Sequence, residues 1–329
     1  IIRQAIKKRS FYKNQVNAFQ CQVYIKGQLR LQDYPATIFG QKVDFADGDT
    51  SKNKMIYLSE TIATYSFQKP EKEKVEVTST RVSGQADGFG FGSPRYVTFY
   101  DNNIQISKAL NPRGFISPIA ENALNFYHYK FMGSFTENGR LINHIKVTPK
   151  RSYEPLFSGY INIVEDEWRI HSVDLMLTKE SQMELADTLR IEHLYVPVTN
   201  DIWMIHSQVV YPAVKMFGFD AKGSFVTVYS NYELDPEFDK NFFNNIILKY
   251  DTGSNKKPRA YWDTVRPVPL LDDEIMDYLK KDSLEIVRRD PRYLDSVDRR
   301  KNRFTFGGIL LFGQTFNRQS KKSSFRYPP

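Results

Sequence analysis

The sequence predicts a mainly β chain: one large curved antiparallel sheet, an incomplete barrel of about ten strands, with a few packed helices and then an extended and helical C-terminal segment. Three observations carry that expectation. Aromatic residues make up 14% of the 329 residues, with 24 Phe and 20 Tyr against 17 Gly and 16 Pro, and aromatic side chains suit the half-buried surface of a sheet. From Phe19 onward apolar residues recur with a period of two, the spacing that places them on one face of a strand. Short turns join the strand-like runs, and short links between consecutive strands make antiparallel hairpins, because parallel neighbours need long crossovers.

The first fourteen residues predict an amphipathic helix, with Ile2, Ala5 and Ile6 on one face and Arg3, Lys7, Lys8 and Arg9 mostly elsewhere. In the first strand Phe19, Cys21, Val23 and Ile25 alternate with Gln20, Gln22, Tyr24 and Lys26, which makes Cys21 a small core residue rather than a reactive thiol. Residues 55–68 and 74–83 continue as strands. The glycine-rich stretch 84–103 contains Gly88-Phe89-Gly90-Phe91-Gly92. Gly88 and Gly90 fit the first two glycines of a dinucleotide fingerprint, but Ser93 stands at the third and Pro94 follows, so the stretch reads as a mobile or edge loop. Ser117 as N-cap, Pro118 at the first helical position and Glu121 in the first turn predict a short helix over 117–126.

Seven strand signals follow, over 127–136, 141–149, 157–164, 168–178, 189–196, 202–217 and 224–234. Turn chemistry separates them, as in Glu137-Asn138-Gly139 and Thr199-Asn200-Asp201. Residues 249–259 are polar, and Arg266-Pro267-Val268-Pro269 must run extended because each proline restricts itself and its predecessor. Residues 271–289 predict a helix whose first turn is acidic (Asp272, Asp273, Glu274) and whose last is basic (Arg288, Arg289). Residues 303–317 alternate Phe304, Phe306, Leu310, Phe312 and Phe316 at a length that suits a membrane-spanning β-strand. The end, 321–329, reads as basic and unstructured.

The formal net charge of +8 invites a nucleic-acid reading until it is located. Residues 279–329 hold 13 basic and 5 acidic residues, while the remaining 278 hold 33 of each. The body is neutral, and no nucleic-acid partner is expected. A single cysteine allows no intramolecular disulfide. No apolar run approaches the roughly 20 residues of a membrane helix. The chain opens on Ile1 without a signal peptide and reads as a fragment or mature segment.

Chemistry-bearing constellations are sparse. His128, His144, His171, His193 and His206 all fall within strand signals at no metal-ligand spacing, so packed or sheet-surface histidines are favoured and no metal or cofactor is expected. His171, Ser172 and Asp174 are triad residue types, but neighbours on a strand alternate faces. No catalytic residue is assigned, and the chain is not expected to be an enzyme. Trp168 and Trp203, near strand starts, are candidate cavity-rim residues, with core packing the plainer alternative.

Several short motifs resemble a family of Bacteroidota envelope proteins. They are Val23-Tyr24-Ile25-Lys26-Gly27, Leu58-Ser59-Glu60-Thr61, Phe115-Ile116-Ser117-Pro118, Pro149-Lys150-Arg151, Phe157-Ser158-Gly159 and, most specifically, the segment from Tyr261 through Trp262, Arg266, Pro267 and Pro269 to Leu270. That family joins a carboxypeptidase-regulatory-like β-sandwich, a middle domain of unknown function and a C-terminal outer-membrane barrel. Set against that layout, these residues are expected to correspond to the middle domain and the approach to the barrel, as a fragment or as a naturally shorter relative. At the level of pattern alone it is also similar to lipoprotein-carrier domains of the Lol type, incomplete barrels whose helices plug an apolar concavity.

The resemblance implies a place at the outer membrane, on its periplasmic side. Three segments are expected: a β-rich periplasmic domain over 1–248, a proline-containing linker and helix over 249–302, and the first strand of a barrel with its basic flank over 303–329. Tyr261, Trp262, Arg266, Pro267 and Pro269 form a candidate linker or docking motif, in which Arg266 could stack on Trp262 or Tyr261. Arg299, Arg300, Lys301 and Arg303 form a candidate membrane-proximal basic cluster for anionic headgroups. The expected function is a non-enzymatic module for envelope assembly or for lipid, lipoprotein or protein cargo, its partners being the membrane, its barrel or other envelope proteins. A scaffold that docks partners through sheet edges is the alternative, and an envelope hydrolase a weaker one.

Overall fold

Period-two alternation becomes a single eleven-stranded sheet. Its strands are β1 (Ala18–Asp33), β2 (Lys54–Gln68), β3 (Lys72–Val82), β4 (Tyr127–Glu137), β5 (Arg140–Pro149), β6 (Ser158–Val164), β7 (Ile170–Thr178), β8 (Thr188–Pro197), β9 (Trp203–Met216), β10 (Phe219–Leu234) and β11 (Leu248–Tyr250). This computed structural model describes all residues except 39–40, 44–50, 302–313, 319–322 and 328–329. Two units divide the chain: Ile1–Val82 with Asp87–Pro269, and Ser83–Ala86 with Leu270–Pro329.

In the first unit the strand order is β11-β3-β2-β1-β10-β9-β8-β7-β6-β5-β4, an open sheet whose edges are β11 and β4. It consists of two antiparallel meanders, β1–β3 and β4–β10, fused where β1 pairs with β10 from Phe19 opposite Leu234 to Asp33 opposite Asp220. The expected all-antiparallel sheet needs one correction. After β10 the chain crosses back to the far edge, and β11 joins β3 in parallel, Leu248 opposite Val75.

Odd residues of β1 face inward: Phe19, Cys21, Val23 and Ile25 belong to the main core, beside Ala63 and Tyr65 of β2. Helix α1 (Ile2–Asn14) buries Ile2 and Ala5 against the same core. Burial pushes the Cys21 thiol up to about 12, which keeps it protonated and inert.

The connection from β3 to β4 also lies on the inner face, which corrects the reading of its glycine-rich part as a mobile or edge loop. Backbone can lie this close to β2 because glycine has no Cβ: one added at Gly90 would stand 2.9 Å from the Ser59 Cβ. Gly90 N–H donates to Thr80 Oγ1 at 2.9 Å, and Phe91 packs edge-on against Phe225 and Tyr57. Further on, Phe99, Phe115, Ile119 and Ala120 are wholly buried. Both Phe99 and Phe115 contact Phe157 of the segment before β6.

The helix expected over 117–126 narrows to α2 (Ala123–Phe126). Loop groups take the hydrogen bonds instead. The Ser117 hydroxyl donates to Phe99 O (2.6 Å), Glu121 N–H donates to Asn102 Oδ1 (3.0 Å), and the Tyr129 hydroxyl donates to Pro118 O (2.7 Å).

A short helix absent from the sequence reading, α3 (Arg259–Val265), packs on the outer face of the sheet. The second unit contains α4 (Asp272–Arg289), α5 (Pro291–Lys301) and a hairpin of β12 (Gln314–Arg318) and β13 (Ser323–Tyr327). Asp277, Asp282 and Glu285 of α4 accept hydrogen bonds from Ser83, Gly84 and Ala86. The tail expected to be unstructured thus contributes a strand, with Phe325 opposite Phe316. Most of the candidate membrane strand, 302–313, lies outside the described residues.

Gly159 offers a test of the sheet's packing. Its φ is +139°, and a Cβ there would stand 2.2 Å from Asp174 O on the neighbouring strand. Gly159→Ala is expected to cost about 3 kcal/mol, lowering Tm by about 6–12 °C in calorimetry. Gly139→Ala, at a turn position with open space around it, costs about 1 kcal/mol.

Candidate functional site

Strand β4 ends the sheet and pairs only with β5. Phe131, Met132 and Phe135 are 55%, 47% and 40% exposed, whereas the neighbouring β5 buries Ile142, Ile145 and Val147. A bulge at Met132, where the register steps from Phe131 opposite Ile145 to Gly133 opposite His144, changes which face the following residues take. The outer row of β4 backbone N–H and C=O groups has no strand partner among the described residues. An edge of this kind is a template for another extended chain.

Beyond the β4–β5 turn lies a cationic and aromatic cluster. The guanidinium groups of Arg140 and Arg169 each stand 5.3 Å from the Trp203 ring, and Arg169 also lies 4.9 Å from the Tyr12 ring of α1. Glu167 serves both cations, at 2.9 Å from Arg140 Nε and 2.6 Å from Arg169 Nε. His171 meets Trp203 and Phe135 edge-on, each at 6.1 Å, with its Nε2 3.4 Å from Glu137. The structure therefore places Trp203 between two arginines. Trp168 sits in the preceding turn at φ +59° and packs against the main core.

The three triad residue types are not brought together. His171 Nδ1 is 3.0 Å from Ser172 Oγ, but Asp174 accepts two hydrogen bonds from Arg190 at 2.7 and 2.8 Å. Burial lowers the His171 pKa, and Glu137 partly opposes this. His193, 2% exposed and edge-on to Phe99 at 5.1 Å, is pushed down to about 3 by burial, against the side-chain amide of Gln208.

The motif around Trp262 is an anchor on the outer face. Trp262 is wholly buried in a small cluster with Tyr24, Ile62 and Val228. Arg266 does not stack on either aromatic neighbour. It forms a two-point bond to Glu60 of β2, Nε to Oε1 at 2.5 Å and Nη2 to Oε2 at 2.8 Å, and a further one to Asp263 at 2.7 Å. The cation over Tyr261 is Lys257, at 5.4 Å. The Tyr24 hydroxyl donates to Glu60 Oε1 at 2.8 Å, so a carboxylate with no solvent exposure has three donor bonds. Burial works against the Arg266 charge, but Glu60 and Asp263 outweigh it and raise its pKa. Pro267 and Pro269 are exposed, and Val268 between them joins the Trp262 cluster.

Sequence reasoning quoted Glu60 within the Leu58–Thr61 motif but gave it no role. The available signal was a carboxylate in the middle of a strand, between the small polar Ser59 and Thr61. Of the basic cluster, Arg299 is 82% exposed and paired with Asp295, Arg300 and Lys301 close α5, and Arg303 lies outside the described residues.

Two outcomes follow from these buried charges. Arg266→Ala strands Glu60 and is expected to cost about 3–5 kcal/mol in denaturant unfolding, while Glu60→Leu combined with Arg266→Met recovers at least half of that. Because the folded pKa of His193 lies below the unfolded value, its contribution is complete above about pH 6.5 and falls away toward pH 3. Unfolding takes up a proton in that window, at about 1.4 kcal/mol per pH unit, and His193→Gln removes that slope from pH-dependent denaturation curves.

No curated protein matches the chain significantly. Among solved structures, it is similar to a domain assigned to outer-membrane lipoprotein sorting in Vibrio parahaemolyticus, at 10% identity and a TM-score of 0.29, over 74% of this chain and 97% of that one. A DUF1329 family protein from Desulfovibrio piger aligns at 10% identity and 0.30 over the same shares, 74% and 97%. A LolA superfamily protein from Nitrosomonas europaea aligns at 10% and 0.26, over 73% and 96%. Likeness at these scores carries no function across. The profile of the Family of unknown function DUF5686 matches residues 1–232, and the chain belongs to that family.

Proposed function

From membership of a family of unknown function, we propose that this chain is a non-enzymatic interaction module on the periplasmic side of the outer membrane. Its partner is an extended segment of another envelope protein, which adds to the β4 edge as a further strand. The observation that carries this reading is the pairing of a filled inner face with an uncovered edge. A carrier needs a hollow for an acyl chain, and on the inner face Phe99, Phe115, Ile119 and Ala120 are wholly buried. At β4, by contrast, Phe131, Met132 and Phe135 are left to solvent beside backbone groups that have no strand partner among the described residues. Main-chain hydrogen bonds would supply affinity there, and the alternate side chains selectivity.

The segment over 303–329, with its hairpin and basic residues, is read as the approach to a barrel. The Trp262–Arg266 anchor covers part of the outer face of β1 and β2, and β4 is the longer of the sheet's two edge strands.

A photo-crosslinking residue in place of Ser134 tests this in cells. A discrete adduct is expected, and it should be lost when Phe131→Lys and Phe135→Lys are added. Absence of any adduct at that position, or an adduct indifferent to the two lysines, would count against the edge as the docking site.

A further inference from the structure

Helix α1 uses its apolar side to dock on the sheet, and what it turns outward is unusual for a neutral domain. Arg3, Lys7, Ser10 and Asn14 form one exposed row along the helix, and Gln4, Lys8 and Phe11 form the next. Residues 1–32 contain seven Lys and Arg but no Asp or Glu. Phe11 is 57% exposed, with Lys8 Nζ 5.4 Å from its ring, and Ile1 is also exposed at the helix start.

Among the described residues, acids reach this helix from other elements at two places, and both are already engaged. Asp101 pairs with Lys13 at 2.6 Å, and Glu167 is held by Arg140 and Arg169. Neither offsets Arg3, Lys7 or Lys8. The first exposed row runs into an open polar cleft of about 400 Å³, lined by Arg9, Ser10, Lys13 and Asn14 from the helix and by residues 101–103 from the facing loop. Arg9 Nη1 donates to Tyr100 O at 2.7 Å, while its buried Nε has no acceptor.

We propose that the outward face of α1 is a contact surface for an anionic membrane. Arg3, Lys7 and Lys8 meet the headgroup charge, Phe11 enters the interfacial layer, and the cleft beside Ser10 and Asn14 receives a headgroup. Charge complementarity favours an anionic partner, and an exposed aromatic ring between lysines favours a lipid interface over an acidic protein. Because the apolar side of the helix is committed to the core, the contact is mainly electrostatic, and therefore weak at high salt.

Vesicle flotation of the full chain tests the proposal, using phosphatidylcholine alone or with roughly 30 mol% phosphatidylglycerol. Binding is expected only to the anionic vesicles and should fall when salt rises from about 0.05 to 0.5 M. Lys7→Glu with Lys8→Glu should weaken it at least about tenfold, and the milder Lys7→Gln with Lys8→Gln should weaken it several-fold with an unchanged Tm. Phe11→Ser should weaken it about threefold. Arg151→Glu with Lys179→Glu, the same charge change at side chains 73% and 78% exposed elsewhere, should leave it unaltered. An unmodified chain that ignores anionic vesicles overturns the proposal. So does undiminished binding by the α1 variants, which would assign the contact to the basic C-terminal residues instead.

Discussion

Strand β1 satisfies two neighbours at once, and the first unit is organised around that fact. One edge pairs with β2 along nearly its whole length, while the other pairs with β10, a strand from the far end of the unit. Without the second ladder the chain would be two separate meanders, each with an extra open edge. With it, eleven strands share one pair of faces, and the parity of β1 decides what lies on each. A one-residue slip would send Cys21, Val23 and Ile25 outward and bring Tyr24 and Lys26 into the core.

The two faces are solved by different physics. The inner face is apolar and is closed by the chain's own connection and by α1, so its stability is a matter of volume and fit. The outer face carries Glu60 opposite Lys26 on one side and Arg81 on the other, with Arg266 brought in from the residue that ends α3. A buried carboxylate is tolerable only with this many donors. Its use here is positional: it fixes a short helix that has little apolar area of its own beyond Trp262.

Strand periodicity was legible because each hairpin is local. Apolar alternation and turn chemistry place β4 to β10 within a few residues of their observed bounds, and the acidic start and basic end of α4 mark it equally well. The parallel strand β11 was not legible, since three residues leave no period to detect. The inward path of the glycine stretch was also hidden, because glycine signals close approach without saying to what. The fate of Arg266 depends on an acid some two hundred residues earlier, and no local pattern links them. Trp203 was expected at a cavity rim, and its arginine neighbours, at the start of β5 and in the turn before β7, have no local pattern that links them to it. The exposed edge at β4 was invisible because exposure at an edge reflects strand order, which alternation does not encode.

The fusion of β1 to β10 also imposes an order in time. The partner of Phe19 is Leu234, so β1 and its neighbours emerge long before the strand that covers their open side. At roughly 5–20 residues per second, about two hundred residues leave that edge bare for tens of seconds. Its inner residues are those that later form the core, and until β10 arrives they face other chains at the same stage. Domains dominated by such distant pairings fold slowly and are prone to association while incomplete. Topology alone therefore makes closure of the β1–β10 ladder the late, slow step of assembly.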